Sequence, residues 1–368
     1  MRVSCLLSGI LGNRVLSQRL ADAVVRCNGL SHAFWFDQGV YHKYPAPPWL
    51  RRISTLEAEY VATRWLQDQD LGDALIVNGY DLALAARHPR MAVALDVTPA
   101  LLMRMKRPLR GRLAAPLRWL SHVRFATLAA NVRAWLPMSA KVRLSLIEDY
   151  GVDPERCFVT RAPQPVIDPV THEASGRLLF VGGDFVRKGG DLLLAAMAHL
   201  PDCELTVVSN DPAAKALAGR CARAKVIQGI KDPAKLADVY RASDLLVLPT
   251  RYDCYSHVIC EAAAFGIPSI ATRVGGVGEL LDESGGKSIP EDCSPPQLAR
   301  IVKAVLTNGY GQRALTSARF ARDCLSLGKF DEAISAVLRA LEPELEPTGL
   351  PLAEAVLSAA QAPPAVLP

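Results

Sequence analysis

Short apolar runs alternate with longer amphipathic segments along this chain, and that alternation limits the possible folds more than any other feature. A short apolar run suits a strand buried on both faces, and the segment after it suits a helix covering one face. The repeat therefore predicts parallel sheets wrapped by helices. Strands are predicted near Val3–Leu7, Ala33–Phe36, Ala74–Val77, Val93–Leu95, Ala134–Pro137 and Cys157–Val159. A second series falls near Leu178–Val181, Leu205–Val208, Lys225–Ile227, Leu245–Leu248 and Ser269–Ala271. Each series makes one doubly wound domain, and 368 residues are too many for a single ordinary core. The join is predicted at Ala162-Pro163-Gln164-Pro165, where two prolines disfavour helix. The reading is an α/β protein of two Rossmann-like domains, residues 1–163 and 164–330, facing across a cleft. A helix over 331–346 is predicted to cross back to the first domain, and a Pro/Ala-rich tail occupies 347–368. Ligands of such sheets sit at the carboxyl ends of the strands, which makes the cleft the default site.

Half of the residues are hydrophobic, which excludes a disordered chain. No apolar run reaches the length of a bilayer, and Val3–Leu7 reads as a buried first strand rather than a signal core. The nine cysteines are scattered without paired metal spacing, as expected of reduced thiols in a cytoplasmic protein. The net charge of +5 is unevenly spread. Between Asp96 and Glu148 there is no acidic residue, whereas Arg104, Lys106, Arg107, Arg110, Arg112, Arg118 and Arg124 all fall there. That asymmetry implies an anionic neighbour. Over 103–124 the cations are mixed with Leu, Met and Trp119. This composition suits the surface of an anionic membrane, and equally a solvated helical face with Trp119 in the core. Nucleic acid is disfavoured, because no aromatic platform accompanies the charge.

The most informative stretch runs from Leu246 to Pro268. A strand ends at Pro249, a polar loop follows, and a helix begins near Ser256, a competent N-cap. Gly266 is a natural stop after the helix, just before Pro268. Asp253 thus precedes the helix and Glu261 lies within it. Backbone amides at a helix start form an anion site, and carboxylates flanking such a site suit hydroxyl groups. The stretch resembles the Glu-x7-Glu motif of the retaining glycosyltransferases of family four, which have the GT-B fold. It supplies Asp253, seven residues, then Glu261-Ala262-Ala263-Ala264, Gly266-Ile267-Pro268-Ser269-Ile270-Ala271-Thr272 and Val274-Gly275-Gly276. The resemblance implies that Asp253 contacts donor-sugar hydroxyls and Glu261 holds the nucleotide ribose. It also implies that amides around Tyr255, Ser256 and His257 reach the diphosphate. Asp stands where the family has its first Glu, and Cys254-Tyr255-Ser256 replaces Pro-Phe-Gly.

Two further segments carry the resemblance. Leu179–Gly183 runs as a strand into a glycine turn, followed by Arg187-Lys188-Gly189 and a helix. Cations in such a loop neutralise a leaving diphosphate. The family usually has arginine at the position of Gly183, so Arg187 beside Lys188 is read as the source of the second charge. Ser8-Gly9-Ile10-Leu11-Gly12 follows the first strand and is similar to the family's N-terminal glycine loop, which makes Gly9 and Gly12 donor-side candidates. Asp96, at a strand end, is the candidate polar group facing the reacting sugar.

Other patterns fail. Asp68-Gln69-Asp70 spells Asp-x-Asp but lacks the context of a metal site, and His257 with Glu261, Cys254 and Cys260 lacks a second ligand cluster for zinc. The resemblance implies a metal-independent, retaining glycosyltransferase with no cofactor. It would move a sugar from a nucleotide-diphosphate sugar to a glycan, a lipid-linked or a small-molecule acceptor. Arg187, Lys188 and helix amides would stabilise the departing phosphate, and the protein would be cytoplasmic, with peripheral attachment to a membrane's inner face. The alternatives are a non-catalytic sugar-nucleotide-binding or assembly subunit, and a nucleotide-sugar epimerase of the same shape.

Overall fold

The leucine- and valine-rich runs become strands because their side chains are buried on both faces of a sheet. In order these are β1 (Val3–Ser8), β2 (His32–Phe36), β3 (Ala74–Asn78), β4 (Met91–Leu95), β5 (Ala134–Pro137), β6 (Arg177–Val181), β7 (Glu204–Val208), β8 (Ala224–Ile227), β9 (Leu245–Leu248), β10 (Ser269–Thr272) and β11 (Lys287–Ile289). The computed structural model describes residues 1–9, 13–47, 54–105, 114–165, 167, 173–230 and 232–342, and the side chains of all of these but 13, 54, 55 and 114–118. The tail over 347–368 and part of the basic 103–124 segment lie outside these residues.

The chain forms two compact units, Met1–Pro163 with Gly328–Pro368, and Gln164–Leu327. The first contains a sheet in the order β2-β1-β3-β4-β5, and the second a sheet in the order β11-β10-β9-β6-β7-β8. Every pairing is parallel, with Cys5 opposite Ala33 and Ile76 in one sheet and Leu178 opposite Leu245 in the other. Two strand expectations are corrected. Cys157–Val159 is no strand: it makes one isolated bridge from Cys157 to Trp135. Phe158 and Thr160 donate amides to Trp135 and Pro137, but Ala162-Pro163 follow, and proline has no N–H to extend a ladder. The second correction adds β11. This short strand starts at an exposed lysine, between Gly285-Gly286 and Pro290, and has no apolar run to mark it.

From Gly328 onward the helix Leu327–Ala340 belongs to the first unit. Arg26 holds Asp331 through Nε and Nη2 at 2.8 and 2.7 Å, and Phe330, Ile334, Val337 and Leu338 are buried. In the same unit Tyr150 Oη accepts the Ala100 amide at 3.0 Å and lies 2.8 Å from His122 Nδ1. Burial lowers the His122 pKa, so the neutral ring is favoured. In the second unit the fully buried Asp244 accepts from the amides of Ser175 and Arg177 and pairs with the Arg177 guanidinium. It precedes β9, at the amino ends of the strands, and is therefore a fastening of β9 to β6 rather than a reactive group.

Burial, reinforced by Glu59, raises the Asp81 carboxyl to about 6. A carboxyl raised on folding binds more protons in the native state, so stability grows as the pH falls from above 6 towards its unfolded value near 3.8. Asp81→Asn should therefore stabilise the protein at pH 8, by about 1–2 kcal/mol after discounting for partial exposure, and much less at pH 4. Urea unfolding at the two pH values reads the difference, and equal shifts at both would contradict it.

Candidate functional site

In an open parallel sheet, ligands bind where the strand order reverses, outside the carboxyl ends of the two strands on either side. In the second unit that point lies between β6 and β9, because the chain runs outward from β6 to β7 and β8 and then returns to the other side of β6. The loops after β6 and β9 contain Arg187-Lys188 and Asp253, and the structure brings them together. Lys188 Nζ lies 2.5 Å from Asp253 Oδ2, with only 15% and 10% of the two side chains exposed.

Glycines permit this approach. Gly189 has φ +80°, and a Cβ there would lie 2.0 Å from the Pro249 carbonyl oxygen. At Gly190 a Cβ would fall 2.2 Å from the ring of Phe185, which is buried against Phe180. From the other side Gly275, with φ +53°, sits under the Asp253 carbonyl, where a Cβ would lie 2.1 Å away, and Gly276 donates its amide to the Cys254 carbonyl at 2.8 Å. The Asp253 loop is thus held between the Lys188-Gly189-Gly190 turn and the Val274-Gly275-Gly276 turn. Arg251 staples it further: its amide reaches the Arg187 carbonyl at 2.9 Å and its guanidinium grips Asp191 at 2.7 and 2.9 Å.

Arg187 is close to Lys188 but engaged, donating to Asp184 Oδ2 at 2.8 Å and to the Tyr252 carbonyl at 2.6 Å. Its charge is partly balanced by Asp184, which leaves Lys188 as the more buried cation. The helix His257–Ala264 begins directly after this loop. Ser256 occupies the N-cap but its hydroxyl makes no cap bond, contrary to the sequence reading. The hydroxyl is instead buried and without a partner among the described residues, so the side chain leaves the first-turn amides uncapped. Tyr255 is buried, with its hydroxyl 3.3 Å from Cys260 Sγ, and His257 lies edge-on to it at 5.6 Å. Tyr255 therefore offers backbone rather than ring to the crevice. At the far end Gly266 has φ +72° and donates to the Ala263 carbonyl, which stops the helix as expected.

These features coincide with a family match. Residues 175–308 match the family model described as Glycosyl transferases group 1. Residues 175–308 are similar to a group 1 glycosyltransferase domain. Over 224 residues the chain is 29% identical to D-inositol 3-phosphate glycosyltransferase of Xylanimonas cellulosilytica, an alignment covering 52% of this chain and 52% of that protein. The chain thus spans about half the length of this curated relative. Among solved structures, sucrose-phosphate synthase from Thermosynechococcus elongatus superposes with a TM-score of 0.72 at 16% identity, over 92% of this chain and 99% of that one. The Anabaena protein HepE in complex with UDP-glucose gives 0.66 at 16% identity, over 92% and 100%. At these identities the likeness establishes the fold: two parallel-sheet α/β domains of the GT-B type.

Within the matched residues, Glu261 is not simply solvated. Tyr240, at the end of the helix Pro233–Arg241, donates its hydroxyl to Glu261 Oε2 at 2.6 Å and stacks flat on Phe265. Burial and then the Glu261 charge hold the Tyr240 phenol well above its usual pKa, so it remains a donor. Tyr240→Phe should cost about 1.5–3 kcal/mol, the range for a bond to a charged group, seen as a lower urea midpoint at unchanged slope. An unchanged midpoint would refute a supporting role for the phenol. Tyr240 and Arg251 both escaped the sequence reading, since nothing in its own neighbourhood marks Tyr240 and Arg251 looks like a solvated loop cation. Gly183 is exposed, and a Cβ there would meet nothing within 4 Å. Steric demand therefore does not explain the glycine at this position.

Gly9 and Asp96 belong to the first unit. Gly9 donates its amide to the Phe36 carbonyl at 2.9 Å, beside the β1/β3 reversal of that sheet. Asp96 is half-buried after β4, ahead of Thr98, which caps the helix Pro99–Arg104. Gly12 lies outside the described residues. Asp70 of the Asp-x-Asp sequence is tied to Arg2 at 2.7 Å on the surface. Among the described residues no three His, Cys, Asp or Glu side chains gather as a metal site, and no helix is long and apolar enough to cross a membrane. All nine cysteines are thiols.

Proposed function

We propose that this chain is a glycosyltransferase that moves a sugar from a nucleoside-diphosphate sugar to an acceptor hydroxyl, with retention of configuration and without a required metal ion. The observation that carries the reading is the Lys188–Asp253 pair at the β6/β9 reversal, next to the uncapped start of the helix His257–Ala264. The group 1 match, the inositol-phosphate glycosyltransferase relative and a structural neighbour that holds UDP-glucose support it.

In this reading the diphosphate lies against the amides of Tyr255, Ser256 and His257, where the helix dipole favours negative charge. Glu261 accepts hydrogen bonds from the ribose hydroxyls, its carboxylate oriented by Tyr240. Asp253 accepts from sugar hydroxyls and keeps the Lys188 ammonium facing the crevice. An ammonium has three donors, so it can hold Asp253 and a phosphate oxygen together. As the bond from the anomeric carbon to the phosphate oxygen breaks, negative charge grows on the phosphate. Lys188, Arg187 and the helix amides stabilise it, and the departing phosphate takes the acceptor's proton. The fixed cations supply the charge that a metal ion would otherwise bring. Gly9, Gly183 and Asp96 are assigned to donor and acceptor contacts on the strength of the family resemblance alone.

The acceptor is a glycan, a lipid-linked or a small hydroxyl compound. Trp119, with 56% of its surface exposed, and Leu120 on the helix Ala114–Asn131 support peripheral attachment at an anionic membrane surface. Flotation with anionic vesicles at low salt tests that attachment. The main reading is tested by a thermal-shift screen of nucleoside-diphosphate sugars, since a ligand at a hundred times its Kd adds about 2.7 kcal/mol. A hit should transfer its sugar in excess chelator, with the anomeric configuration of the product unchanged by NMR. If no such donor stabilises the protein, the reading is wrong; stabilisation without transfer to any acceptor would favour a binding subunit.

A further inference from the structure

Five arginines of the second unit hold carboxylates: Arg177, Arg187, Arg241, Arg251 and Arg273. Lys287, Arg300 and Arg313 behave differently. None of the three is ion-paired with a carboxylate among the described residues, and all three line one cavity of about 490 Å³. The cavity lies at the outer edge of the sheet. Lys287 opens β11 and Pro290 follows it, while Arg300, Ile301 and Val305 come from the helix Pro295–Thr307. β10 separates β11 from β9, so this space is distinct from the crevice at the β6/β9 reversal.

Arg313 is fixed in place, its Nη1 donating to the carbonyls of Gly285 at 2.8 Å and Gly286 at 3.4 Å, immediately before Lys287. Lys287 and Arg300 are exposed. Three like charges at one cavity repel one another, and a bound anion relieves that repulsion. The lining also includes hydrocarbon: Ile301 and Val305, four apart on one helix face, and Pro290. A volume of this size suits a small organic ligand rather than a bare ion.

We propose that this cavity binds a phosphate monoester with an apolar tail, its phosphate held by Lys287, Arg300 and Arg313 and its tail laid on Ile301, Val305 and Pro290. The proposal does not depend on the donor-site reading.

Calorimetric titration of the full chain with hexyl phosphate, inorganic phosphate and hexanol tests it. Hexyl phosphate should bind at least about tenfold tighter than either fragment, because the charged rim and the hydrocarbon wall then act together. The exposed pair Lys287→Ser/Arg300→Ser should weaken hexyl phosphate by about tenfold or more at an unchanged Tm. Ile301→Ser should narrow the gap between hexyl and inorganic phosphate. Lys188→Met, in the other crevice, should leave hexyl phosphate binding intact. Equal affinity for inorganic and hexyl phosphate, or loss of binding in Lys188→Met but not in the double variant, would overturn the assignment. Vesicles of phosphatidylcholine with phosphatidic acid separate two sources of the same chemistry. Binding competed by hexyl phosphate identifies a membrane headgroup, and absence of vesicle binding with hexyl phosphate still bound identifies a free ester.

Discussion

Lys188→Met should lower the rate of sugar transfer by about 10²–10³-fold while shifting donor affinity far less, because the charge it answers is greatest in the transition state. The geometry gives this variant its weight. Both cations face a carboxylate, but Lys188 is mostly buried beside Asp253, whereas Arg187 is more exposed beside Asp184 and also tied to a carbonyl. Arg187→Ala should therefore cost less turnover than Lys188→Met, a ranking that neighbouring cations in a sequence do not supply. Removing the ammonium also leaves Asp253 without its partner. Breaking a fully buried pair costs about 3–5 kcal/mol, and the partial exposure here makes the cost smaller. Rates should accordingly be measured well below the melting temperature of the variant, with donor Kd and kcat determined separately. A kcat equal to that of the unsubstituted chain would remove Lys188 from the chemistry.

Gly189→Ala should be the most damaging single methyl group in the second unit. The left-handed backbone costs alanine about 1–2 kcal/mol by itself. The new Cβ would also stand 2.0 Å from the Pro249 carbonyl oxygen, a distance that no rotamer relieves because the obstacle is backbone. Pushing the loops apart adds about 1–3 kcal/mol of overpacking strain. A total of about 2–5 kcal/mol corresponds to a Tm lower by roughly 4–20 °C for a unit of this size. Donor affinity should fall with it, since the displaced segments carry Lys188 and Asp253. Gly183→Ala is the matched control, because a Cβ there has open space. If the two variants melt together, the close approach of the loops is not what holds the site.

Much of this site is legible in the sequence because its parts are local. A strand, a turn and a helix start are each announced within a few residues, as in Pro249–Ser256 and Gly182–Gly190, and the apolar runs predict ten of the strands. What was not legible depends on distance along the chain. The Lys188–Asp253 contact joins residues 65 apart, and Arg251 is a staple only because Asp191 lies opposite. Tyr240 supports Glu261 from a preceding helix whose composition carries no trace of that role. Cys157–Val159 illustrates the reverse error, since an apolar triplet beside a sheet need not supply enough amides to join it. Ser256 shows a third kind, in which residue type suggests a cap and the backbone turns the hydroxyl elsewhere.

From Gly328 onward the helix Leu327–Ala340 belongs to the first unit, although the second unit precedes that residue in the chain. During synthesis the two units therefore finish in an order opposite to the one in which they begin. Gln164–Leu327 can close on itself as soon as it emerges, with Gln164 donating to the Leu325 carbonyl at 2.6 Å across its two ends. The earlier-born half must wait for Asp331 to reach Arg26, with Phe330, Ile334, Val337 and Leu338 still to be covered. Its incomplete form is the species with exposed hydrocarbon, and hence the one on which a ribosome-bound chaperone would act.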